Sequence, residues 1–141
     1  MSDIDRDAII EAVKKPINAI FEALEKLDVE TVLSHYHNHP DFRFSGLIFG
    51  QAMNLNYEEF TTAMRGAYGS MLEQKMIRET EFFRVLSDTK VLYNTTGTGC
   101  QIPKEGERVD FIVAVTQILS LIDEEWKIIY ETEAGIPKKI E

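Results

Sequence analysis

Apolar positions in the first third of the chain recur at three- and four-residue steps: Ile9, Ile10, Val13, Ile17, Ile20, Phe21, Leu24 and Leu27, with acids and lysines between them. That spacing places one apolar stripe along a helix and predicts a long amphipathic helix laid over something apolar. Pro16 lies inside it, removes a backbone donor and crowds the preceding turn, so a kink or a break is expected there. Asp28 is placed to cap a short second helix, "VETVLSHY", with Val29, Val32, Leu33 and Tyr36 on its inner side and an end before Pro40. "DFRFSGLIFG" (41–50) alternates aromatics ahead of glycines, which predicts a short strand followed by a turn segment. Asn56 and Glu59 stand three apart, as in a capping box, ahead of a third helix carrying Phe60, Met64, Ala67, Tyr68 and Met71.

From Lys75 onward the texture changes to long runs of β-branched and aromatic residues, cut by "SDT" (87–89), "PKEGE" (103–107) and "DEE" (123–125). Such runs read as four long antiparallel strands. Helices first and a meander afterwards predict an α+β domain, with the helices packed on one face of a curved sheet.

Composition narrows the partners. A chain of 141 residues, 44% hydrophobic and 28% charged, suits one domain, 1–141, with a single core. With 24 acids against 15 basic residues the net charge is −9, which argues against nucleic acid or an anionic membrane surface as a partner. "MSDIDRDAII" has neither a basic n-region nor an apolar h-region, and no apolar run approaches the roughly 20 residues that cross a bilayer, so the chain reads as cytoplasmic. Cys100 is alone and lies in a strand-like run, which favours a small buried residue over a reactive thiol.

The order of elements, with "ALEKLDVETVLSHYHNHPDFRFSG", "GQAMNLNYEEF" and "TQILSLIDEEWKIIYETE", resembles the nuclear transport factor 2-like superfamily, in particular its SnoaL-like and ketosteroid-isomerase-like branches. The resemblance spans nearly the whole chain. It implies a cone-shaped, mostly antiparallel sheet whose concave face is closed by three N-terminal helices, around a cavity that holds a ligand, a catalytic site or only core. It also points to a homodimer, and the outer-face residues Ile112, Ala114, Ile118 and Ile129 are apolar enough to support one.

A two-residue turn at Asp123 and Glu124 pairs Leu121 with Trp126, Leu119 with Ile128, Gln117 with Tyr130 and Val115 with Thr132. Alternation then puts Phe111, Val113, Val115, Gln117, Leu119, Leu121, Trp126, Ile128, Tyr130 and Thr132 on the concave face, and turns Lys127, Ile129, Glu131 and Glu133 away from it. The expected ligand-binding residues are therefore Tyr130 and Gln117 in the pocket, Trp126 in its apolar wall, Tyr93 beside Gln117, and Tyr36 at the mouth.

Other clusters carry less chemistry. His35, His37 and His39 occupy alternate positions of "HYHNHPD", which read as polar residues at a helix exit; no metal or other cofactor is expected. Ketosteroid isomerisation needs a first-helix tyrosine and a carboxylate base from the first strand. Alignment on Asp28 puts Ile20 at the former position and Ser45 or Gly46 at the latter, while Asp41 lies too early, so that reaction is not expected. Arg78, Glu79, Glu81 and Arg84 alternate as on a solvated strand face, and the glycines of "YNTTGTGC" suit a bend or bulge better than a phosphate loop.

Two functions from different classes follow. The leading one is a SnoaL-like protein that binds a small, largely apolar molecule without catalysis; the rival is an isomerase, cyclase or dehydratase whose base is unplaced. A structural association module without an open cavity is the third. A carboxyl or imidazole buried in the cavity with a strongly shifted pKa separates the first two.

Overall fold

The computed structural model describes residues 2–138. Helix α1 (Asp3–Glu25) is capped by Ser2, and the five-residue α2 (Val29–Leu33) by Asp28, which accepts the Thr31 amide at 3.2 Å. Strands β1 (Arg43–Ile48) and β2 (Gln51–Leu55) form a hairpin before α3 (Tyr57–Gly69). Four long strands complete the chain: β3 (Met71–Ser87), β4 (Lys90–Pro103), β5 (Val109–Ile122) and β6 (Glu125–Pro137). They make one six-stranded sheet of order β2-β1-β6-β5-β4-β3, antiparallel except for the β1–β6 pair.

The helical stripe is buried as its spacing demands, with Val13 and Ile17 fully enclosed and Ile20 nearly so. They join Val32, Leu33 and Phe60 against Phe42, Phe44, Val91, Leu119 and Ile128 of the sheet side. Burial of each such aliphatic or aromatic side chain contributes about 1.5–3 kcal/mol, and this is what fixes the helices on the concave face. The capping box at α3 is complete, since Asn56 accepts the Glu59 amide at 2.9 Å and Glu59 accepts the Asn56 amide at 3.1 Å.

Three local expectations are corrected. Helix α1 runs through Pro16 without a break: Pro16 and Ala12, whose carbonyl loses its donor, lie on a flank that is only partly buried. Helix α2 stops at Leu33, because the next residues leave to pair with β6, where the His37 amide donates to the Ile128 carbonyl and the Ile128 amide to the His35 carbonyl, each at 2.8 Å. Strand β3 begins at Met71, which leaves α3 at Gly69, while 41–50 give the expected strand and turn, followed by a second strand at 51–55.

The last hairpin decides what faces the interior. Asp123 and Glu124 both take positive φ (50° and 67°), the pattern of a two-residue turn matched to strand twist, and Leu121 pairs with Trp126 and Leu119 with Ile128 as expected. Then β6 bulges: Ile118 pairs with Tyr130, leaving Ile129 as an extra residue. The bulge falls where β6 passes from its bridge with Tyr36 to its parallel pairing with β1, whose Arg43 partners Tyr130. One inserted residue exchanges the faces of everything beyond it. Glu131 therefore partners Gln117 and Glu133 partners Val115 on the concave side, while Tyr130 and Thr132 turn outward.

Candidate active site

The concave face holds a cavity of about 240 Å³ between α3, the end of α1 and the sheet. Its wall is mainly apolar, from Phe44, Ile48, Phe60, Met64 and Phe111, and among the described residues that form it Glu133 is the one acid. Glu131, two residues before Glu133 on the same face of β6, is buried deeper.

The two carboxyls differ in their partners. Glu131 accepts a hydrogen bond from the Tyr36 hydroxyl at 2.7 Å and another from the Gln117 amide at 2.6 Å. Burial raises its pKa, and the two hydrogen bonds oppose that rise. Glu133 is half-buried and has no side-chain donor among the described residues. Burial, and secondarily the Glu131 charge, push its pKa up to about 8. The pair titrates as a unit in which the first proton goes to Glu133, because charge is supported on Glu131 and unsupported on Glu133.

Tyr68 completes the polar lining. It comes from the last turn of α3, is buried, and its hydroxyl has no hydrogen-bond partner among the described residues. Burial raises its pKa far enough to keep it protonated across the ordinary pH range. A neutral phenol without an acceptor and a carboxyl without a donor thus look into one apolar chamber. Chemically the set can hold a small apolar molecule by one oxygen and exchange a proton with it.

The residues expected from sequence are distributed differently. Tyr36 is buried in the core and holds Glu131, so it does not stand at a mouth. Tyr93 is the register partner of Gln117, yet its hydroxyl donates to Glu81 at 2.6 Å, away from the cavity. Gln117 is buried and also serves Glu131. Trp126 packs against the core from beside Pro16 and His35, outside the cavity. Tyr130 is on the outer face, 36% exposed, with its hydroxyl 3.1 Å from that of Ser45.

Glu131 and Glu133 were assigned to the outer face, and the bulge reverses that. The signal was present in the sequence: Ile128, Ile129 and Tyr130 are three apolar residues in a row, a break in alternation, followed by two acids two apart. Glu133 is also the register partner of Gly46, so a carboxyl stands directly across the strand pair from the β1 position that lacks one. A Cβ at Gly46 would meet the Glu133 carbonyl oxygen at 1.9 Å, which restricts that position to glycine.

Elsewhere, Arg78 donates to Glu81 at 3.1 Å and lies 4.4 Å over the Phe21 ring, so these charges close the far end of the interior under α1. His37 and His39 stack at 5.2 Å, and the Asp41 amide donates to His39 Nδ1 at 3.0 Å. Among the described residues no group of three His, Cys, Asp or Glu converges as a metal would require, and no helix is long and apolar enough to cross a membrane.

No family model and no curated protein matches the chain. Solved structures do. A protein provisionally assigned as a scytalone dehydratase, from Novosphingobium aromaticivorans, superposes with a TM-score of 0.80 at 9% identity, over 99% of this chain and 94% of that one. A provisionally assigned dehydratase of the nuclear transport factor 2-like family, from Streptomyces avermitilis, gives 0.77 at 17% identity, over 96% and 99%. A type 2 hexachlorocyclohexane dehydrochlorinase gives 0.77 at 16%, over 98% and 94%. With the sheet order, the helices on its concave face and the cavity between them, these superpositions identify the architecture: the chain has the nuclear transport factor 2-like fold.

Proposed function

We propose that the chain is an acid–base enzyme of the lyase or isomerase kind, acting on a small, largely apolar molecule bound in the concave cavity. Glu133 carries the proton and Tyr68 donates a hydrogen bond to an oxygen of the substrate. The observation that carries this reading is the Glu133 carboxyl in an apolar chamber with its pKa raised to about 8, because a pure binding site gains nothing from a carboxyl held so close to its titration point. The dehydratases and the dehydrochlorinase of like fold support it, since loss of water or of hydrogen chloride to form a double bond takes a proton from carbon.

In this reading the Glu133 carboxylate accepts a proton from a carbon next to a carbonyl or a leaving group, and the Tyr68 hydroxyl offsets the charge that develops on oxygen. Glu131 stays anionic on its two donors and keeps the Glu133 proton affinity high. The test is hydrogen–deuterium exchange of 2-tetralone, a bicyclic ketone, followed by NMR in D2O. Exchange catalysed by the protein, rising with pH through about 8 and abolished in Glu133→Gln, supports the reading. A ketone that binds and exchanges no faster than in buffer removes it and leaves ligand binding alone.

The outer sheet face is proposed as the seat of a second copy. Ile77, Phe82 and Ile136 are 65%, 52% and 51% exposed there, more apolar surface than a monomer ordinarily leaves in water. Light scattering giving a monomer mass at micromolar concentration rejects it.

A further inference from the structure

We infer that the outer side of the sheet carries a binding site of its own, for the phosphate group of a small phosphate monoester, where the chain between α2 and β1 crosses the start of β6. This site is independent of the reading of the concave cavity. A depression of about 350 Å³ lies there, lined by His37, His39 and Asp41 of the crossing segment, Lys90 of β4, Ser120 of β5 and Ile129 of β6. Its volume falls within the roughly 300–1,000 Å³ of small-molecule pockets.

The depression follows from the break in the sheet. The His37 amide donates to the Ile128 carbonyl at 2.8 Å, and immediately beyond that bond β6 bulges at Ile129. The crossing segment therefore leaves β6 before β1 takes over at Arg43, and Tyr130, turned outward by the bulge, walls the gap. Ile77, Phe82 and Ile136 lie in register rows that cross β4 at Thr98 and Asn94, beyond Lys90, so the depression sits at the margin of the apolar outer face.

Its polar groups are nearly all donors. Lys90 Nζ donates to Ser120 Oγ at 3.3 Å, which leaves two ammonium N–H groups and the buried Ser120 hydroxyl proton without an acceptor among the described residues. In a chain of 24 acids, Lys90 has no ion-pair partner among the described residues. The His37 and His39 rings stack at 5.2 Å. Because His39 Nδ1 accepts the Asp41 amide at 3.0 Å, the proton of its neutral ring is on Nε2, and a neutral His37 offers one N–H as well. Arg43 adds charge at the border, where its guanidinium donates to the Pro40 and Phe42 carbonyls at 3.0 and 2.6 Å. Asp41 is the one acid of the wall among the described residues, and its side chain is 93% exposed.

Donors gathered without an acceptor fit an oxyanion. A phosphate monoester brings three acceptor oxygens and a charge of about −1.5 to −2, which answers the ammonium, the hydroxyl and the two imidazoles more fully than a carboxylate does. The floor of Phe42, Ile122 and Ile129 is apolar and suits an organic body.

The test reads the ring protons of the three histidines by NMR at about pH 7.5. Phenyl phosphate should shift the His37 and His39 signals along one saturating curve, with sulfate competing, and should leave His35, which faces the groove beside Pro16, in place. Benzoate should bind about tenfold more weakly, and Lys90→Gln should weaken phenyl phosphate about tenfold while Lys90→Arg retains it. Binding should weaken in high salt. Unmoved His37 and His39 signals, shifts that never saturate or include His35 equally, or binding that survives Lys90→Gln overturn the site. Equal affinity for benzoate overturns the phosphate assignment. Vesicles containing phosphatidic acid should not retain the protein, whose net charge of −9 opposes an anionic surface; retention would make a lipid headgroup the occupant and overturn the small-molecule assignment.

Discussion

Two glutamates, the exposed Glu81 at the α1 end and the half-buried Glu133 in the cavity, differ in whether their hydrogen bonds are complete. Under α1, Glu81 accepts from Tyr93 and Arg78, and Thr95 donates to the Thr80 carbonyl at 2.8 Å. At the other end, Glu133 lacks a side-chain donor and Tyr68 lacks an acceptor among the described residues, although both are held in a mainly apolar wall. A satisfied polar group stabilises a fold, while an unsatisfied one costs stability and stays chemically available. The difference marks the first end as structural and the second as the working end, with Glu131 between them as a satisfied group serving an unsatisfied one.

The largest effect is expected at that boundary. Glu131→Ala should cost about 3 kcal/mol in chemical denaturation, since it leaves the Tyr36 hydroxyl and the Gln117 amide buried without their acceptor. A cost under about 1 kcal/mol would mean that the two donors find other partners. Glu133→Gln should act oppositely. The folded pKa of Glu133, about 8, exceeds its ordinary 4.5, so its contribution to stability is complete below 4.5 and is lost as pH rises through about 8. The neutral glutamine escapes that loss. The variant should match the parent near pH 4 and exceed it by on the order of 5 kcal/mol at pH 8 and above, and a constant difference across pH would contradict the assignment. The smallest effects separate the two tyrosines: Tyr93→Phe should lose about 1 kcal/mol with its bond to Glu81, and Tyr68→Phe should change stability by less than about 0.5 kcal/mol. Equal losses would erase the contrast between the ends.

The fold was legible because its signals are local. The stripe from Val13 to Leu24, the caps at Asp28 and Asn56, and the turn at Asp123 and Glu124 each depend on residues a few positions apart, and each appears in the structure. The pairing of Tyr93 with Gln117 was also legible from strand register. The site was not, because its orientation depends on Ile129, whose bulge is imposed by the segment around Tyr36 and by β1, each more than eighty positions away. Strict alternation along β6 put Tyr130 inside and Glu131 and Glu133 outside, and a single extra residue exchanged them. Tyr68 was visible as a helix-face residue, but nothing in its spacing distinguishes a packed ring from one whose hydroxyl lacks a partner.

The central claim is that Glu133 holds its proton near neutral pH while Glu131 stays ionised. Carboxyl carbon NMR of the protein labelled at glutamate side chains, followed from pH 4 to 10, reads this directly. One resonance should titrate with a midpoint near 8 and vanish in Glu133→Gln. If every glutamate resonance of the folded protein has completed its titration by about pH 6, Glu133 is an ordinary carboxylate and the acid–base account of the cavity is wrong.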